Sequence, residues 1–74
     1  MKIINLRGKN LTTQDTKHIV KEVVDVFGRI SSHPVYADGN TIIEANGDDE
    51  PVYWRIVNVK RENNGIITSV DIKC

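Results

Sequence analysis

The chain lacks most of what usually braces a small domain. Its single cysteine, Cys74, has no partner within the 74 residues, so no internal disulfide can form and a reducing, cytoplasmic setting is the expectation. No apolar run exceeds three residues. A membrane-spanning helix requires about 20 apolar residues and the apolar stretch of a secretory signal about 7–15, so neither is expected. Net charge is absent too: ten Lys plus Arg balance ten Asp plus Glu, which removes bulk attraction to nucleic acid. Aromatics are few, namely Phe27, Tyr36, Tyr53 and Trp54. At this length one core only just offsets chain entropy, so residues 1–74 read as a single compact domain in which each large apolar side chain carries weight.

What is present is patterned. Met1 to Ala37 holds six basic and three acidic residues, and Asp38 to Cys74 four basic and seven acidic, so each half can present a surface of one sign. Lys2 to Arg7 is short and β-branched and reads as a first strand. In "LTTQDTKHIVKEVVDVFGRI" the apolar residues Ile19, Val23, Val26, Phe27 and Ile30 recur at spacings of three and four, with Val20 and Val24 widening the stripe. That is a helix with one buried face. Thr12 and Asp15 have the spacing of a capping box, with Thr13 as the alternative cap. Gly28 supplies a left-handed C-terminal residue, or the last turn runs on to Ile30.

Valine is a weak helix former, so packing against a sheet must hold this segment helical. "SSHPVYADGN" reads as punctuation because Pro34 disfavours helical geometry at His33 and Asp38-Gly39 is a turn pair. Thr41–Ala45, Val52–Lys60 and Ile66–Lys73 are the remaining strands, and Pro51 suggests that the third begins at an edge. The expected fold class is α+β, in the order strand, helix and three-strand meander: one helix packed on one face of a mostly antiparallel four-stranded sheet. A small, curled, SH3-like meander is the alternative, and the first strand can lie beside either the second or the fourth.

The last two strands pose the main question. With Asn64-Gly65 as a two-residue type I′ turn, Val59 faces Val70 and Val57 faces Ile72; with Thr68 they form the apolar face. Strict alternation then turns Trp54, Ile56 and Ile67 to the opposite, uncovered face, beside Lys60 opposite Ser69 and Asn58 opposite Asp71. Ile43 joins them if the second strand pairs beside the third. Two arrangements are open: real exposure of this cluster, or a bulge near Arg55 to Val57 (or strong curvature) that returns Trp54 to the core.

Candidate chemistry is sparse. His18, His33 and Cys74 lack the close spacing of a metal site or a Cys-His dyad, and "NGDDE" lacks the pattern of a calcium loop. Glu44 is expected to pair with Arg55 across strands. "RGKN" has one glycine with no helix directly after it, so it is no phosphate loop. No catalytic residue, metal or cofactor is expected, and a small hydrolase ranks third among the functions considered.

The leading expectation is a non-enzymatic protein-binding module, such as a small bacterial or phage inhibitor or accessory protein, contacting a protein partner or a second copy. The binding residues would be Trp54, Ile56, Ile67, Ile43, Arg55 and Lys60, an apolar patch with a polar rim. The runner-up is binding of RNA or single-stranded DNA through Lys2, Arg7, Lys9, Lys17, Lys21 and Arg29 of the first half, with Trp54 and Tyr53 as stacking surfaces.

Overall fold

The computed structural model describes residues 1–74. The fold class is α+β, with β1 (Lys2–Asn5), α1 (Thr16–Ile30), β2 (Val35–Asp38), β3 (Thr41–Asn46), β4 (Asp49–Arg61) and β5 (Ile67–Lys73). The strands form one open sheet in the order β1-β5-β4-β3-β2, and every adjacent pair is antiparallel. The first strand therefore lies beside the last, and no curled barrel forms. No helix is long and apolar enough to cross a membrane.

There are five strands where four were expected. The extra one, β2, comes from the segment read as punctuation: Asp38 pairs with Thr41 across a two-residue turn whose first residue, Gly39, has φ 60°. Glycine at that position is the signature of a type II′ hairpin turn, so "VYAD" continues into the sheet instead of interrupting the chain.

The helix starts one turn later than the Thr12 capping box implies. Asp15 is extended (φ −79°, ψ 114°) and its carboxylate accepts from the Lys17 backbone N–H at 3.0 Å, while its own N–H donates to Thr13 Oγ1 at 3.0 Å. Asp15 is thus the N-cap, placing a negative charge at the positive helix end. At the other end Gly28 is helical, and the helix continues to Ile30, which faces solvent. Ile19, Val20, Val23 and Phe27 are buried against Ile4, Leu6, Ile42, Ile67, Val70 and Ile72 of the sheet and the segment after β1.

The β4–β5 hairpin departs from strict alternation twice. Val59 faces Val70, Lys60 faces Ser69 and Asn58 faces Asp71 as expected, but the next pair is Ile56 with Ile72. Val57, the residue between, is a bulge: it is exposed rather than core, and Ile56 and Trp54 are returned to the helix side. The second shift lies between Lys60 and Arg61, where Arg61 pairs with Ile67. It makes Thr68 the extra residue of β5 and turns Ile67 into the core, where it is fully buried.

The turn accounts for the second shift. Gly65 has φ 87°, its N–H donates to the Glu62 carbonyl at 2.9 Å, and the Glu62 N–H donates to Ile66 O at 2.9 Å. The loop therefore has three residues, Asn63 to Gly65, and only the last is left-handed. That is a three-residue hairpin loop with a glycine bulge in place of the two-residue type I′ turn. Arg61, turned to the helix side, donates to the Gly65 carbonyl at 3.0 Å and to the Thr13 carbonyl at 2.7 Å, tying the hairpin to the chain before α1.

At its other end β4 outruns β5. Arg55 faces Lys73, the last residue of β5, so Asp49 to Trp54 pairs only with β3 and has one bare edge. Pro51 sits in that stretch, consistent with a strand that begins at an edge.

Candidate interaction face

The helix covers one face of the sheet, and the bulges decide which residues lie under it. Trp54 packs edge-on to Phe27, with ring centroids 5.6 Å apart at 90°. Its Nε1–H donates to Glu44 Oε1 at 3.2 Å, and Ser31 Oγ donates to Glu44 Oε2 at 2.7 Å. Glu44 thus fastens the indole to the C-terminal end of the helix. Its register partners are Val35 and Val52, whereas Arg55 lies opposite Thr41, so the expected Glu44–Arg55 pair does not form.

Three of the residues expected on the uncovered face, Trp54, Ile56 and Ile67, therefore belong to the covered side. The other three, Ile43, Arg55 and Lys60, lie on the uncovered side, which the registers define strand by strand. Tyr36 of β2 faces Ile43 of β3, which faces Tyr53 of β4, so the three side chains form a row across adjacent strands. Two strand spacings put the tyrosine backbones about 10 Å apart. Ile43 is 7% exposed although no helix lies above it, while Tyr36 and Tyr53 are 51% and 58% exposed. The least exposed residue of the row is therefore flanked on both neighbouring strands by half-exposed tyrosines.

Beyond Tyr53 along β4 come Arg55 and the exposed bulge residue Val57. A second row crosses from Asn58 through Asp71 to Ile3. Asp71 is 5% exposed; Asn58 Nδ2 donates to its Oδ2 at 3.5 Å and Lys60 Nζ lies 3.6 Å from the same oxygen. Its other oxygen, Oδ1, has no hydrogen-bond partner.

Tyr36, Val57 and Ile3 were not among the expected site residues, and Tyr53 was expected only as a stacking surface for nucleic acid. Tyr53 was accessible to reasoning, because placing Trp54 in the core turns its neighbour outward. Tyr36 was hidden in the segment read as punctuation.

The remaining candidates do not converge. No group of three or more His, Cys, Asp or Glu side chains could hold a metal ion; His18 is exposed on the helix and Cys74 is exposed. In the basic half, Arg7 pairs with Glu62 at 3.0 Å and Arg29 with Asp25 at 3.2 Å, while Lys9 bridges Asp25 at 2.5 Å and Glu22 at 3.3 Å. Its hydrogen bonds to Asp25 and Glu22 raise the Lys9 ammonium above its ordinary pKa, and the bond from Lys9 holds the Asp25 carboxyl below its own.

Comparison with known protein families, curated proteins and solved structures finds no match in any of the three.

Proposed function

We propose that the chain is a non-enzymatic protein-binding module, of the inhibitor or accessory type, that contacts its partner through the uncovered face of the sheet. The row Tyr36, Ile43, Tyr53 carries this reading. Tyrosine presents a large, stiff surface with a polar tip, which suits an association site more than a solvated face. Arg55, Val57 and Lys60 continue the surface along β4, giving it the mixture of apolar centre and polar rim common at protein contacts. The lone Cys74 supports a reducing, cytoplasmic setting.

The alternative is a nucleic-acid strand stacked on the tyrosines. Against it, the hairpin tip beyond Tyr53 carries Asp48, Asp49 and Glu50, and Lys60 is engaged by Asp71. These carboxylates would repel phosphates along the path past the rings.

The test is affinity capture from a lysate of the source organism with wild type, Tyr36→Ser/Tyr53→Ser and a helix-surface control, Lys21→Ala. A protein retained by wild type and control but lost from the tyrosine variant is the expected result. Equal retention by wild type and both variants, or release of the captured protein by nuclease, would overturn the reading.

A further inference from the structure

The second feature of the uncovered face is a repulsive pair. Arg55 and Lys73 are direct cross-strand partners in the β4–β5 ladder, both exposed. Like charges placed opposite each other destabilise a sheet. Neither forms an ion pair, whereas Arg7, Lys9, Arg29 and Lys60 each have a carboxylate. Lys2, Arg61, Lys17 and Lys21 also lack a carboxylate, but Lys2 lies over the Phe27 ring, Arg61 is held by the Gly65 and Thr13 carbonyls, and Lys17 and Lys21 stand exposed on the helix. Arg55 instead follows Tyr53 by two positions on the same face of β4, next to the aromatic row.

We infer that Arg55 and Lys73 together receive a carboxylate side chain of the protein partner, with apolar groups of the same partner segment lying on Tyr53 and Tyr36. The proposal rests on the protein-binding reading of this face and adds the chemistry of its occupant. A carboxylate between two cations removes their mutual repulsion and gains charge-assisted hydrogen bonds, bidentate at the guanidinium. A second copy of the chain fits less well. The carboxylates it would offer from this face are Asp71, which is buried, and Asp38 and Glu50 beside hairpin turns.

The probe is a short poly-L-glutamate peptide titrated into the full chain at low and moderate salt, with the Arg55 Nε–H and Lys73 amide signals followed by NMR. Wild type should show saturable shifts at both positions. Arg55→Gln and Lys73→Gln should each weaken the effect about tenfold or more, while melting no lower than wild type because each substitution relieves repulsion. Absent shifts, shifts unchanged by Lys73→Gln, or tighter binding of an oligothymidylate of equal charge would overturn the assignment. The two readings fail separately. If a captured protein is lost from Tyr36→Ser/Tyr53→Ser but kept by both Gln variants, the face stands and the carboxylate site falls.

Discussion

The two faces of this sheet are built from the same strands, yet they follow different rules. On the covered face Ile42, Val70 and Ile72 lie against Val20, Val23 and Phe27 with almost no exposure, and even the polar Nε1 of Trp54 has a designated acceptor. On the uncovered face two half-exposed tyrosines flank an isoleucine, two cations oppose each other, and one oxygen of a buried aspartate has no hydrogen-bond partner. The first face satisfies every group it buries. The second leaves apolar surface and charge unsatisfied, and natural folds tolerate that mainly where function uses it.

Substitutions can break or sharpen this contrast. The largest effect should come from Phe27→Ala, which empties the centre of the covered side and should cost about 3–5 kcal/mol, enough to unfold a domain of this size. Urea denaturation measures it; a midpoint equal to that of wild type would mean that the helix does not pack as described. Trp54→Ala should come next, at about 3 kcal/mol, because it removes both the contact with Phe27 and the bond to Glu44. In the wild-type monomer, Trp54 emission should be blue-shifted and resist acrylamide, and free quenching would return the indole to solvent.

Gly65→Ala should cost about 1–2 kcal/mol through backbone strain alone, since φ is 87° and nothing lies within 4 Å of an added Cβ. A smaller loss in thermal melting would show that the turn relaxes. Tyr53→Ser should change stability by about 1 kcal/mol or less while reducing partner capture, the reverse of Phe27→Ala.

The smallest effect concerns Lys9→Met. It should raise the Asp25 carboxyl toward its ordinary value of 3.8, readable by NMR titration. The ion pair's contribution to stability is complete above that ordinary value and is lost as pH falls through the depressed folded value. At the alkaline end it is complete below the ordinary lysine value of 10.5 and is lost as pH rises through the elevated one. An Asp25 titration unchanged by the substitution would show that the bond does not persist in solution.

Much of the fold was legible in periodicity. Ile19, Val23 and Phe27 mark the helix face, and Val59 opposite Val70 marks the hairpin. The site was less legible because two bulges decide it, and a bulge leaves no mark in alternation: Val57 and Thr68 are ordinary strand residues whose extra status emerges only from tertiary pairing. One of the two arrangements considered for Trp54, a bulge near Arg55 to Val57, is the one that forms. Ile43, Arg55 and Lys60 were placed on the correct side, while Trp54, Ile56 and Ile67 were displaced by those two residues. Strand β2 was missed because four residues between Pro34 and Gly39 are too short to show a period.

The stretch of β4 that outruns β5 bears on how the chain keeps from polymerising. A bare strand edge is a template on which another chain can add, the first step of edge-to-edge aggregation. Asp49 and Glu50 place charge at the start of this edge, and Pro51, a residue type that blunts sheet edges, follows them. These are the gatekeepers that natural sheets set beside unavoidable apolar strands, and here they stand just ahead of Val52, Tyr53 and Trp54, the most aromatic run in the chain.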